Sequence, residues 1–268
     1  MNVLPRALLI GIGALALTTV SIKAVDQLSL SGSDFTASLH TADAPCPEEM
    51  SLLTLGDRSL CVDTYEASPA ASCPYESLGA SGATEENLAQ ASCMPVSEAS
   101  RQPWVDVSLT QAQQLCARAG KRVPSATEWY AFGLGIKDES ACVLDSGAAR
   151  VTGTPSCVTP IGVYDVVGNV WEWVAAEVRD GTLEGTQLPP SGYVHEVTLA
   201  GLSLQTQTVP DTVFGSDYVT TNASGTYGVV RGGFYDSGSD GGLFALNAAV
   251  PNSLSTQGIG FRCVQDAR

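Results

Sequence analysis

The chain has 268 residues, a formal net charge of −15 and only three lysines, so it carries no clustered cation surface of the kind that tracks phosphates. Nucleic acid is excluded as a partner. Hydrophobic residues make up 44% against 15% charged ones, enough apolar surface for a buried core, and 27 glycines with 14 prolines favour a loop-rich globule over a helical bundle.

The first 25 residues read as a leader. A short flank with one positive charge, Met1 to Arg6, precedes the apolar run "ALLIGIGALALTTVSI", and together they suit a signal peptide or an N-terminal membrane anchor. Ile22 makes "IKA" a poor cleavage site, so an apolar helix kept as a tether stands beside a cleaved signal. Either way the chain is exported, to the cell surface or beyond. Residues 26–45 are rich in Ser, Thr and Ala and read as a flexible linker. From Cys46 to Arg268 there is no second linker and no internal repeat, so 46–268 reads as one domain.

An even count of eight cysteines in an exported chain suggests disulfides. With no C-x-x-C pair and two isolated histidines, His40 and His195, a zinc site is excluded. Many connectivities remain open. Proximity favours Cys46–Cys61, Cys73–Cys93 and Cys142–Cys157, which leaves Cys116 with Cys263.

Two helices follow in chain order. In "VSLTQAQQLCARAGK", Ser108 and Gln111 form a capping box, Leu109, Ala112, Leu115, Cys116 and Ala119 recur at helical spacing, and Gly120 suits the left-handed C-terminal position. In "PSATEWYAFG", Ser125 caps, Glu128 reaches back and Gly133 stops the helix. The runs "LCVDTYEA", "GVYDVVG", "YGVVRGG" and "GIGFRCV" read as short strands between glycine turns. The fold class is α+β. Trp129, Trp171 and Trp173 fill the core, and Arg122, Glu128, Arg231 and Arg262, charges inside apolar phrases, are expected in internal salt bridges.

The phrases "VDVSLTQAQQLCARAGKRVPSATEWYAFG", "YDVVGNVWEWV", "VVRGG" and "IGFRC", with "CVDTYEAS" upstream, resemble the formylglycine-generating-enzyme (sulfatase-modifying factor) family over residues 58–265. The resemblance implies a C-type-lectin-like fold with two helices, short antiparallel sheets and much irregular chain, and it supports pairing Cys116 with Cys263. In "DVVGNVWE", the carboxylates of Asp165 and Glu172 and the carbonyls of Gly168 and Val170 are hard oxygen donors of the type Ca²⁺ takes, and the resemblance makes these four its ligands. A turn held by its own hydrogen bonds is the alternative.

The enzymes of that family oxidise a substrate cysteine with two copper-binding cysteines, and thiolates are the ligands Cu(I) prefers. Counted from "RGG", those positions are Ser237 and Gly242, and no cysteine lies between Cys157 and Cys263. No copper is expected, and no catalytic residue can be named. "RGGFYDSGSDGGLFALNAAVPNSLSTQGIGFRC", residues 231–263, resembles instead the variable region of proteins diversified by diversity-generating retroelements, with "RGG", "G-x-F-A-L" and "IGFR" as frame. Randomised AAC codons never give Lys, Glu, Gln, Trp or Met, and from Phe234 to Gln257 only Gln257 falls outside the permitted set. Tyr, Ser, Gly, Asn and Asp are the residues of adaptable paratopes. The expected ligand-contacting side chains are Phe234, Tyr235, Asp236, Ser237, Asp240, Asn247, Ala249, Asn252, Leu254 and Thr256, sharing one face and meeting a protein or another surface ligand. A divergent oxidase and a structural cell-surface module are the alternatives.

Overall fold

The computed structural model describes residues 44–76, 82–136 and 139–268. The leader, and all of the linker before residue 44, lie outside the described residues. Those described fall in one compact unit, Asp43–Arg268. Among them no helix is long and apolar enough to cross a membrane.

The unit is mostly β with three helices: α1 (Ala83–Ala89), α2 (Leu109–Arg118) and α3 (Ala126–Gly133). Both capping boxes form as the sequence implies, Ser108 with Gln111 and Ser125 with Glu128. Gly120 takes the left-handed conformation after α2, φ +71°. Helix α3 ends at Gly133 as expected. Gly133 is its last helical residue, where an added Cβ would come 2.7 Å from Leu243 Cδ1, and the left-handed residue is Gly135. Helix α1 is a third helix that the sequence does not announce. It opens on a glycine with no side-chain cap and has no glycine stop.

A nine-stranded sheet dominates. Its order is Thr186–Gln187, Thr182–Leu183, Trp171–Arg179, Thr226–Arg231, Leu246–Val250, Tyr218–Thr221, Gly192–Val197 and Ser203–Gln207, with Ile259–Gly260 beside Trp171–Glu172. It is mixed rather than purely antiparallel, because Tyr218–Thr221 runs parallel to Leu246–Val250 and Ile259–Gly260 parallel to Trp171. A second sheet joins Met50–Leu55, Arg58–Asp63 and Val264–Asp266, so the two ends of the domain pair. "GVYDVVG" forms no strand. Asp165, Gly168 and Asn169 all have positive φ and turn the chain too sharply, leaving only isolated bridges at Tyr164 and Gly168.

Alternation along the central strands separates two cores. Val174, Ala176, Val178, Val229 and Leu246 pack with α3 through Trp129 and Phe132. Trp173, Val230, Ile259 and Phe261 pack with α2 and Trp104. Trp129 and Trp173 are buried as expected, and Trp171 is half-buried at the rim. Four disulfides pin this framework: Cys46–Cys61, Cys73–Cys93, Cys142–Cys157 and the long-range Cys116–Cys263, which ties α2 to the chain end.

Candidate ligand-binding site

The variable segment is launched from the strand Thr226–Arg231. Gly232 and Gly233 have φ of +95° and +85°, and a Cβ on Gly232 would meet Val166 O at 2.5 Å, so the "GG" is dictated by both backbone and space. Arg231 is fully buried, yet among the described residues it forms no salt bridge, contrary to the one expected. Its guanidinium donates to the carbonyls of Ala126 (3.2 Å), Gly201 (2.9 Å) and Leu243 (3.3 Å). It also lies 5.0 Å from the Trp129 ring centroid and 5.7 Å from that of Tyr130. Carbonyl dipoles and ring faces replace a counter-ion, and burial lowers its pKa to about 10. The other charges pair as expected: Arg122 grips Glu128 with two nitrogens (2.7 and 2.8 Å), and Arg262 grips Glu172.

After the glycines the chain makes a tight turn. Ser237 Oγ accepts the Phe234 amide at 2.9 Å, and the Tyr235 amide and carbonyl bond Asn169 and Ser146. The short turn Gly238–Asp240 follows. The "GLFAL" frame is then held by a carboxylate from outside the segment. Asp217, fully buried, accepts the Phe244 amide (2.6 Å) and the Ala245 amide (3.1 Å) at Oδ2, while its Oδ1 has no hydrogen-bond partner. A Cβ on Gly242 would collide with that Oδ1. The Glu139 carboxylate is close by, since Asp217 Oδ1 and Glu139 Oε2 both lie within 3.5 Å of the point where a Cβ on Gly215 would sit. Burial first, and then the Glu139 charge, push the Asp217 carboxyl up to about 8 against the two amides.

None of the ten expected ligand-contacting side chains is in the core. Asp236, Asp240 and Leu254 are exposed, and Phe234, Tyr235, Ser237, Asn247, Ala249, Asn252 and Thr256 are half-buried. The frame between them is buried: Arg231 to Gly233, Gly241 to Leu243, Ala245, Leu246 and Gly258 to Cys263. Phe234 and Tyr235 meet edge to face, 4.9 Å between centroids. A Cβ on Gly258 would touch Phe234, and the Gly258 amide bonds Thr256 Oγ1, which brings Thr256 toward the aromatic pair. Asn252 stands apart. It bonds Glu177 at 2.8 Å, and its carbonyl accepts the Leu109 amide.

Of the four residues read as calcium ligands, Asp165, Gly168 and Val170 precede the strand that carries Glu172, and the two carboxylates are already engaged. Both Glu172 oxygens accept from Arg262 Nε at 2.8 Å, and Oε2 also accepts the Trp129 indole. Asp165 accepts the Gly153 and Thr154 amides. The Gly168 amide donates to Gly232 and the Val170 amide to Glu66, bonds that hold the turn without engaging the two carbonyls that would face an ion. The Arg262 guanidinium already supplies a cation to Glu172, so that carboxylate would have to give up its ion pair to take a calcium ion. Among the described residues no group of three or more His, Cys, Asp or Glu is placed to hold a metal. Glu66 was missed by sequence reasoning. It is fully buried in "CVDTYEAS", holds Asn169 Nδ2 at 2.6 Å, and is raised well above the ordinary range by burial and by Asp165 and Glu172.

Residues 144–267 match the model of the Sulfatase-modifying factor enzyme 1-like domain. No curated protein sequence matches the chain. Among solved structures, the chain is similar to the Major Tropism Determinant M1 Variant, with 18% identity, a TM-score of 0.45, and coverage of 84% of this chain and 54% of that one. It is similar to Treponema denticola variable protein 1, with 12% identity, a TM-score of 0.43, and 80% and 94% coverage. CarF gives 13% identity, a TM-score of 0.42, and 78% and 86% coverage. The chain spans about half the length of the Major Tropism Determinant chains. Helices α2 and α3, whose phrases contributed to the resemblance, lie outside the matched span, but "GNVWEWV", "VVRGG" and "IGFRC" lie within it. Residues 144–267 are thus similar to the sulfatase-modifying factor enzyme 1-like domain, as those phrases imply.

Proposed function

We propose that the chain is an exported ligand-binding protein whose segment 234–257 is a diversified recognition surface on a C-type-lectin-like scaffold. The observation that carries this reading is the division within the segment. All ten candidate contact side chains are outside the core, while the frame residues that alternate with them are buried and held by Arg231 and Asp217. Side chains can then vary without disturbing the core, as loops on rigid scaffolds do. Four disulfides suit an oxidising compartment and stiffen the scaffold. Sequencing the gene's neighbourhood tests the reading. A reverse-transcriptase gene beside a near-copy of codons 231–263, differing at adenines, is expected. A locus with neither sinks the diversification.

A divergent sulfatase-modifying oxidase is the second reading, because residues 144–267 match that family. Against it stand Ser237, engaged in closing a turn, and Gly242, pressed against Asp217. Copper-dependent oxidation of a cysteine-containing sulfatase peptide by the purified chain would establish that reading instead.

A further inference from the structure

The sheet face that carries Asn247 continues beyond the variable segment. Strand register sets Gln207 opposite Tyr193 and Tyr193 opposite Tyr218. Thr220, two residues along from Tyr218, is opposite Asn247. Paired residues of neighbouring strands project to the same side, as do alternate residues of one strand. Val194, Val219 and Leu246 are buried on the other side, which fixes the direction. Gln207, Tyr193, Tyr218, Thr220 and Asn247 therefore share one face, and all five are half-buried rather than enclosed.

One contact joins this row to the variable segment, and a second stiffens the row itself. The Tyr193 hydroxyl faces the carboxylate of Asp240, one of the candidate contact residues, whose negative charge raises the phenol's pKa. The Tyr193 and Tyr218 rings meet edge to face, 5.1 Å between centroids, which fixes both at low conformational cost. Beside them a groove of about 850 Å³ opens between residues 187–193 and 204–208. In a chain of net charge −15, no Asp, Glu, Lys, Arg or His lines it. A charged group docked there would lose hydration and gain no counter-charge. The face from Gln207 to Asn247 crosses four strands, about 14 Å at ordinary strand spacing. That breadth suits a macromolecular patch better than a small molecule.

We propose that the recognition surface is bipartite: Tyr193, Tyr218 and Gln207 form a fixed half that docks an uncharged patch of a protein partner, beside the half that varies. This rests on the ligand-binding reading above. Tyrosines supply rigid amphipathic contact area and the amide supplies hydrogen bonds, the same division of labour that paratopes use. The fixed half gives every variant a baseline of affinity, and the variable half sets which partner is held.

The test uses the full chain displayed on yeast, with the ten candidate contact positions randomised and lysozyme as the selection target. Tyr193→Ala, Tyr218→Ala and Gln207→Glu are then placed in each selected binder. Most binders are expected to weaken at least tenfold with each change, while Tyr193→Phe, which keeps the ring, stays within about threefold. Binders that keep their affinity within twofold in Gln207→Glu and in a folded Tyr193→Ala overturn the bipartite surface and leave the variable half standing. If no binder emerges from a library whose members are folded, the ligand-binding reading falls with it. Should Tyr193→Ala unfold the chain, Gln207→Glu on the groove wall decides the matter alone.

Discussion

Asp217 Oδ1 occupies the space that any side chain at position 242 would need. Gly242 is thus glycine for a steric reason, and a cysteine there has no room beside the buried carboxylate. Gly242→Ala is expected to destabilise by about 2–3 kcal/mol, as overpacking does when neighbours cannot yield. Asp217 cannot yield, because Oδ2 is tied to two amides of the same loop. Urea denaturation of the two proteins checks this, and equal midpoints with equal slopes would show that the site relaxes freely.

The same carboxylate makes stability depend on pH. A carboxyl raised to about 8 in the folded chain, against an ordinary 3.8 when unfolded, holds a proton in the native state that the unfolded state gives up. Its contribution is full below about pH 4 and is lost as pH rises toward 8, by something on the order of 5 kcal/mol at the upper limit. The groups facing it are Glu139, which raises it further, and Arg231, which opposes. Glu66 adds a fall of the same sign, so the informative comparison is wild type against Asp217→Asn. The variant is expected to lose less stability between pH 5 and 8, and to be the more stable at pH 8. Parallel curves for the two proteins refute the assignment.

Much of this was legible in the chain and some was not, for physical reasons. Local signals carried α2 and α3, because a capping box is written within four residues. The disulfides followed from short spacings plus one remainder. The frame around 231–263 stood out by its resemblance to diversified variable regions, and close approach at Gly232 and Gly242 is the physical reason its glycines are there. The partners of those frame residues were invisible. Asp217 lies in "FGSDYV" and Glu66 in "DTYEAS", and nothing local tells a buried carboxylate from a solvated one. Arg231 was misread because a ring of carbonyls from three distant segments leaves no trace in sequence. The face shared by Tyr193 and Asn247 depends on strand order, which a crossover connection sets.

Removing Cys116–Cys263 should be the costliest disulfide loss. It closes a loop of 147 residues, and chain-entropy reasoning gives up to ~5 kcal/mol. It also sits where the Cys263 amide bonds Asp63, so the chain end is held twice. The paired Cys116→Ala/Cys263→Ala variant is expected to melt well below the Cys46→Ala/Cys61→Ala one, whose loop spans 15 residues. Calorimetry of the two in non-reducing buffer checks the order, and equal melting temperatures contradict it.

Calcium should leave the melting temperature unchanged. Glu172 is satisfied by Arg262 and Trp129, and Asp165 by two amides, so an ion would have to break these bonds before forming its own. A bound ion at 100 times its dissociation constant adds about 2.7 kcal/mol, an increment plain in a thermal scan. Scans in millimolar calcium and in chelator are expected to superimpose. A rise in calcium that Asp165→Ala abolishes would restore the four-residue site.

Frame and display residues should differ sharply in their cost to folding. Arg231→Ala removes a buried guanidinium from three carbonyls and two rings, taking a donor from each carbonyl, and is expected to cost 3 kcal/mol or more, by analogy with breaking a buried polar network. Phe261→Ala opens a cavity beside Trp104 in the second core and should cost about 3–5 kcal/mol. Asp236→Ala, Asn247→Ala and Leu254→Ala touch no buried partner beyond their own turn or strand and should each stay within about 0.5–1 kcal/mol. Ser237 is the instructive exception. Its hydroxyl closes the turn onto the Phe234 amide, so Ser237→Ala should cost roughly 1 kcal/mol, more than its neighbours and less than the frame. A proteolysis-based stability scan across 231–263 reads all of these at once. The division predicts a profile of deep losses at the frame positions separated by shallow ones at the candidate contacts. A scan in which Asn247 and Asp236 prove as costly as Arg231 would mean that the segment is structural throughout and displays nothing.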